Sequence, residues 1–295
     1  MMMEGFKRTE IKTSGANIVT VVGGNGPPLL LMHGNPFTHL SWHKFAPRLA
    51  EEFTVVATDL RGYGDSEKPP GGDDHSGYSF RAMAQDQVEV MAQLGFSSFH
   101  LCGHDRGGRV SHRLAVDHPG AVKKLMLLDI SPTLTMYEET NMDFARSYWW
   151  WFFLIQPAPF PETMIAAAPE TYLKKKIGWG HAGLAPFTDE TYAAYLSHVS
   201  DPATMHGMCE DYRAAAGIDL EHDRADRAAG RRIGCDVRVL WGEFGVVNRC
   251  FKPVDDWRAV TQDAYTVTGR TVPCGHYIPE EVPQELMGEM QRFFA

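Results

Sequence analysis

The 295-residue chain contains no run of about 18 apolar residues, so nothing in it is long and apolar enough to read as a membrane-spanning helix. Its first residues, MMMEGFKRTEIK, turn polar almost at once and carry no apolar signal region, so the expectation is a cytoplasmic protein with no membrane partner. Cysteine is scarce: Cys102, Cys209, Cys235, Cys250 and Cys274 are odd in number and scattered, with no CxxC pair and no Cys/His cluster at metal spacing. Buried free thiols are expected, with neither a disulfide framework nor a metal site. A basic patch is also missing; the net charge of -9 argues against nucleic acid as partner and obliges any small anionic ligand to find local cations.

What is present is a strand and helix rhythm. PPLLLMHG, TVVATDL, SFHLCGHD, VKKLMLLDIS, DVRVLWGE and a weaker YTVTGRTV read as strands. SFRAMAQDQVEVMAQLG, with Phe80, Met83, Ala84, Val88, Met91 and Leu94 near one face, reads as a helix between the second and third. Continuous Leu/Val runs suit strands buried on both faces, hence a mostly parallel, doubly wound α/β sheet covered by helices. The rhythm breaks over residues 137–216, which are rich in aromatic residues, proline and methionine (SYWWWFFLIQPAPFPE). We expect a helical cap there, inserted between a first core part (1–136) and a second (217–295), facing the strand ends where open α/β sheets bind ligands.

Gly103-His104-Asp105-Arg106-Gly107 has the G-x-nucleophile-x-G form of a sharp strand-to-helix turn, but an aspartate stands where serine is common. As a plain structural residue, Asp105 would cap the following helix. As a nucleophile it would be followed along the chain by an acid and a histidine. His276, in VPCGHYIP after the last strand, suits the base. Many hydrolases of this form carry the acid two residues beyond WGE; here that position is Gly245. The strand end LMLLDIS offers Asp129 instead, which is preferred to Glu243 or Asp255. Asp129 would otherwise cap the first helix of the insertion.

The elbow GHDRGGR, the strand end LLDI, the cap segment YWWWFFLIQPAPFPE and DYRA at 211–214 together resemble the fluoroacetate and haloacetate dehalogenases of the α/β-hydrolase superfamily. The likeness extends over nearly the whole chain, including DLRGYGDSEKP and YSFRAMAQDQ. It implies the α/β-hydrolase fold, a small anionic 2-haloacid as substrate and a homodimer, and the chemistry requires no metal or organic cofactor.

An ionised aspartate needs no general base to attack a saturated carbon, because its ordinary pKa is about 3.9. Displacement of halide would leave an ester on Asp105, which water activated by His276, itself oriented by Asp129, would hydrolyse. Backbone N–H groups of Asn35 and Arg106 are the expected oxyanion donors. The HGNP around Asn35 is also similar to the haloalkane dehalogenases, whose asparagine side chain helps hold halide, and as a plain turn it would serve the fold alone. Arg106 and Arg109, three residues apart on one helix face, are expected to grip the substrate carboxylate with paired hydrogen bonds; Arg113, a turn further, is too far back. Either could otherwise be a surface residue or an ion-pair partner for the cap. The resemblance further implies a halide pocket at Trp150, Trp151 and Tyr212. Trp150 replaces a histidine of that family, which is expected to weaken the pull on fluoride relative to larger halides.

Two other functions fit the same motifs. An epoxide hydrolase would use the same aspartate ester with cap tyrosines as acids, and Tyr137, Tyr148, Tyr172, Tyr192, Tyr195 and Tyr212 are available. A non-catalytic binding protein on this scaffold would keep the fold without needing Asp105, Asp129 and His276 together.

Overall fold

A computed structural model describes residues 3–295. Eight strands form one sheet: β1 (Lys7–Lys12), β2 (Asn17–Gly23), β3 (Pro28–Met32), β4 (Thr54–Thr58), β5 (Phe99–His104), β6 (Val122–Leu128), β7 (Asp236–Gly242) and β8 (Val267–Val272). Their spatial order is β1-β2-β4-β3-β5-β6-β7-β8. From β4 to β8 all neighbours run parallel, as the continuous apolar runs predict. The antiparallel pairs β1–β2 and β2–β4 were not foreseen. Their signal is weak because β1, KRTEIK, is mostly exposed and apolar at only one position.

Alternate residues of the central strands enter separate cores. Leu30, Met32, Leu101, Leu125, Leu127, Val237 and Val239 join one, and Leu29, Leu31, Cys102, Met126, Leu128 and Leu240 the other. This is burial on both faces, each side chain contributing roughly 1.5 to 3 kcal/mol on leaving water. The helix Phe80–Gln93 begins where the Ser79 side chain accepts from the Ala82 N–H. It buries Phe80, Met83, Ala84 and Met91 as expected, but Val90 sits deeper than Val88. Its buried Asp86 is matched by Arg61 through two hydrogen bonds, from Nε at 2.6 Å and Nη2 at 2.7 Å.

Between β6 and β7 the described chain is helical, from Thr133–Glu138 through Ile218–Ala229, and contributes no strand to the sheet. Its aromatic helix Trp149–Leu154 packs into the first of the two cores with Tyr148, Trp150, Trp151 and Tyr212. Trp151 and Tyr212 meet the guanidiniums of Arg109 and Arg106, just beyond the C-terminal end of β5.

Candidate active site

Asp105 follows β5 directly and leads into the helix Arg106–Asp117. Its φ of 48° and ψ of -114° lie where residues with a Cβ are seldom found, a strained turn of the kind that lifts a side chain above a sheet. Gly107 makes the turn feasible: its N–H donates to the His33 carbonyl at 2.8 Å, and a Cβ there would collide with the Met32 and His33 carbonyl oxygens. The Asp105 side chain makes no capping hydrogen bond to this helix. It accepts instead from the Asn35 N–H, at 3.1 Å from Oδ2. Burial alone would raise its pKa, but His276, Lys176 and Arg109 more than offset this and hold the carboxyl below the usual carboxylate range. The nucleophile candidate is thus buried yet ionised.

Register places Asp129 beside it, since His104 of β5 pairs with Leu128 of β6 and each strand ends one residue before an aspartate. Asp129 also has positive φ, 51°. Its Oδ1 accepts from the Gly242 N–H at 2.9 Å, and its Oδ2 lies 2.5 Å from His276 Nδ1. With the Nδ1 proton donated to Asp129, Nε2 keeps its lone pair; that atom is buried and has no partner among the described residues. Tyr148 Oη, 3.1 Å from Nδ1, shares the same proton. Behind the pair, His104 Nε2 donates to the His276 carbonyl at 2.8 Å and holds the backbone that carries this imidazole. Burial and the proximity of His276 lower the His104 pKa to about 3. Glu243 and Asp255, the rival acids, are both exposed, and Asp255 pairs with Arg258.

The two arginines differ more than their spacing suggests. Arg106 donates from Nε to Asp211 Oδ2 at 2.8 Å and from Nη2 to the Asp211 carbonyl at 2.9 Å, with a further contact to Oδ1; both side chains are 0% exposed. Tyr63 also donates to Asp211 Oδ2, at 2.5 Å. Arg106 was expected to grip a carboxylate ligand, with an ion pair as the alternative, and it is half of a buried ion pair with Asp211 of the helix Pro202–Ala216. Its Nη1 alone is left without a partner among the described residues. Arg109 makes no ion pair among the described residues: it donates to the Ser131 carbonyl at 3.3 Å, Thr133 Oγ1 at 3.0 Å and Met136 Sδ at 3.2 Å, and its Nε is without a partner there. Burial lowers its pKa and Asp105 partly restores it. Arg113 points away, to Asp117, Asp223 and Asp226.

Trp150, Trp151 and Tyr212 are buried beside these groups. The Arg109 guanidinium carbon lies 4.6 Å from the Trp151 ring centre and that of Arg106 4.2 Å from the Tyr212 ring centre. Trp150 packs on Tyr148 at 4.7 Å between centres, which links it to His276. The Nε1 atoms of Trp150 and Trp151, the Tyr212 hydroxyl and both polar atoms of the Asn35 side chain are buried without partners among the described residues. A buried unpaired polar group costs about 1 to 3 kcal/mol, so their concentration around one ionised carboxylate marks a ligand site.

Two functional candidates were missed by sequence reasoning. Asp211 lies inside the DYRA segment but was not paired with Arg106. Lys176 is fully buried, with Nζ 3.3 Å from the Asn35 carbonyl and 3.8 Å from the Trp150 ring centre. Burial lowers its pKa to about 8 although Asp105 pulls it up. A signal existed: Tyr172, Leu173, Lys176 and Ile177 form the buried face of the helix Pro169–Ile177, so one of three consecutive lysines occupies an apolar position.

Comparison with known proteins agrees with this geometry. The alpha/beta hydrolase fold family matches residues 27–243. A fluoroacetate dehalogenase of Burkholderia sp is 44% identical over 295 residues, covering 100% of this chain and 95% of that protein. A soluble epoxide hydrolase of Corynebacterium sp. (strain C12) is 31% identical over 96% of this chain and 95% of its own length. The crystal structure of ALR0039 from Nostoc sp PCC 7120 is 50% identical, with a TM-score of 0.95 over 100% of this chain and 99% of that one. The chain belongs to the α/β-hydrolase fold family, and its likeness to a fluoroacetate dehalogenase of that family runs the full length of the sequence.

Proposed function

We propose that this protein is a haloacetate dehalogenase that converts a small 2-haloacid, such as fluoroacetate or chloroacetate, to glycolate and halide. The observation that carries the reading is an ionised, buried Asp105 surrounded by unpartnered donors and by the uncompensated Arg109 cation. Likeness to a fluoroacetate dehalogenase over the whole chain supports it.

Arg109, with the remaining donor of Arg106, holds the substrate carboxylate. An Asp105 oxygen attacks C2 from behind, the carbon–oxygen bond forms, the carbon–halogen bond breaks, and the electron pair leaves with the halide toward Trp150, Trp151 and Tyr212. His276 Nε2 then takes a proton from water as that water adds to the Asp105 carbonyl carbon. The N–H groups of Asn35 and Arg106 stabilise the resulting oxyanion, and Asp129 stabilises the imidazolium. On collapse the ester carbon–oxygen bond breaks, the His276 imidazolium returns its proton to the departing glycolate oxygen, and Asp105 loses the second water proton to solvent to become a carboxylate again. Residues 137–216 act as the substrate-enclosing cap. A homodimeric, cytoplasmic protein without metal or organic cofactor completes the reading, on family resemblance and the needs of the chemistry alone.

A second reading, epoxide hydrolysis through the same ester, is favoured by the unpartnered Tyr212 hydroxyl and by the 31% identity with a soluble epoxide hydrolase. The cations near Asp105 weigh toward an anionic substrate.

The test is a single turnover of chloroacetate in heavy-oxygen water, with styrene oxide as comparator. Halide release, label in the Asp105 carboxylate and a glycolyl adduct accumulating on that peptide in His276→Ala are expected. Diol formation without halide release would support the epoxide reading instead, and turnover that leaves Asp105 unlabelled would exclude the covalent route.

A further inference from the structure

Each of the three aromatic groups assigned to the halide has a cation on its ring face. The Arg106 guanidinium lies over Tyr212 at 4.2 Å, that of Arg109 over Trp151 at 4.6 Å, and the Lys176 ammonium over Trp150 at 3.8 Å. Each of these rings also carries a buried N–H or O–H without a partner among the described residues. A cation on a ring face draws electron density out of the π-system and strengthens the ring's own N–H or O–H as a donor. The three cations are not equivalent, however. Asp211 neutralises Arg106, whereas Arg109 and Lys176 make no ion pair among the described residues and both bear on Asp105.

Resting on the dehalogenase reading, we propose that Lys176 is a positioning residue for the leaving halide: its ammonium, acting through the indole of Trp150, supplies the positive charge that the departing anion requires. The charge balance of the displacement leads there. Before reaction the site holds the carboxylates of Asp105 and the substrate; afterwards the Asp105 charge has passed to the halide while the substrate carboxylate is unchanged. Two negative charges thus persist throughout, and two uncompensated cations face them. Arg109, next to Asp105 and at the helix start, answers the carboxylate. Lys176, reaching in from the helix Pro169–Ile177 and anchored by one hydrogen bond to the Asn35 carbonyl, answers the halide. Trp150 in place of a histidine is then no loss of charge at this pocket, because a lysine stacked on the indole provides it.

Chloride affinity of the resting enzyme, read by chloride NMR line broadening, tests this without relying on turnover. It is measured beside the fluoride-to-chloride release ratio from the two haloacetates. Lys176→Met is expected to weaken chloride binding about tenfold or more, and to lower fluoride release more than chloride release. Trp150→His in the Lys176→Met background should restore part of the affinity, because imidazole can take up the missing charge. Lys176→Gln, which keeps a polar chain without charge, serves if the methionine variant does not fold. Chloride affinity and release ratio both unchanged in a folded variant lacking the charge would overturn the proposal. Chloride binding that depends on Lys176 in a protein releasing no halide from any haloacetate would keep the anion site and remove the dehalogenase reading.

Discussion

Gly245 stands directly against Asp129: a Cβ at Gly245 would lie 3.3 Å from Asp129 Oδ1 and 3.7 Å from Oδ2. The two positions where hydrolases of this form place their acid thus converge on one spot, and here the carboxylate comes from β6 while the β7 side is kept bare. Gly245 has an ordinary φ of -83°, so its absence of a side chain answers to space rather than to backbone conformation.

This relationship predicts a transferable acid. Asp129→Gly, a residue that suits the positive φ at 129, should lower ester hydrolysis by about 10⁴-fold, the order seen when a triad loses its carboxylate. Halide release in the first turnover should persist. Adding Gly245→Asp should recover part of the loss, whereas Gly245→Asp alone should impair the enzyme by crowding Asp129. Stopped-flow halide release and steady-state glycolate formation separate the two steps, and no recovery in the double variant would show that the two strand ends are not interchangeable.

The arginines should separate on mutation. Arg109→Leu removes a cation that no carboxylate partners, so the fold should persist while KM for chloroacetate rises about 10- to 100-fold. Arg106→Leu strands Asp211 in the interior and should destabilise by about 3 to 5 kcal/mol. Denaturant unfolding of Arg106→Leu against Arg106→Leu/Asp211→Leu is the check, since the double variant should regain stability.

Much of this arrangement is legible in the sequence. The strand-turn-helix at Asp105 is local, written in FHLC, the flanking glycines and the amphipathic run that follows. Asp129 emerges from the glycine at 245, because a missing acid at one strand end directs attention to the next. Arg106–Asp211 is not legible in this way: the partners are far apart in sequence, and nothing local distinguishes an arginine aimed at a ligand from one aimed at a buried aspartate. Lys176 was obscured by its neighbours, since a run of three lysines reads as a solvated face until the helical phase of Tyr172, Leu173 and Ile177 is considered. The β1–β2 edge escaped because an exposed strand lacks the apolar run that announces its buried counterparts.

Lys176 also predicts a pH signature in stability. The groups around it are Asp105, Arg106, His104 and Tyr277. Asp105 lies low and His104 at about 3, both below the range in which Lys176 titrates. The buried thiols of Cys102, Cys209, Cys235 and Cys274 and the Tyr277 hydroxyl, all held above their usual ranges by burial, lower stability as pH rises past about 9 in parent and Lys176 variant alike, so the difference between the two proteins isolates Lys176. Its pKa falls from 10.5 to about 8 on folding. Across that window this lysine holds a proton in the unfolded chain that it has released in the folded one, so its own contribution to stability rises with pH. Below it the buried charge is a liability of about 3 kcal/mol. Lys176→Met should therefore be more stable than the parent at pH 7, with the gap closing toward pH 10.5. Urea unfolding of both proteins across this range measures it, and a pH-independent gap would contradict the buried-charge account.

Tyr148 offers a finer probe. Its hydroxyl competes with Asp129 for the His276 Nδ1 proton, so Tyr148→Phe should leave first-turnover halide release intact and change glycolate formation by less than about tenfold. Rapid-quench measurement of the ester intermediate resolves the two.

The helical stretch between β6 and β7 begins at Thr133, shortly after Asp129, and is tied back to the elbow by Arg106 and Asp211. A chimera spliced at these strand ends would inherit Asp105, Asp129 and His276 from the recipient scaffold and its selectivity from the donated helices. It would fold well only if the donor also brings an acid to the place of Asp211. In this protein the roof and the floor above the sheet are thus matched in charge, and swapping one without the other would leave an ionised side chain stranded in the interior.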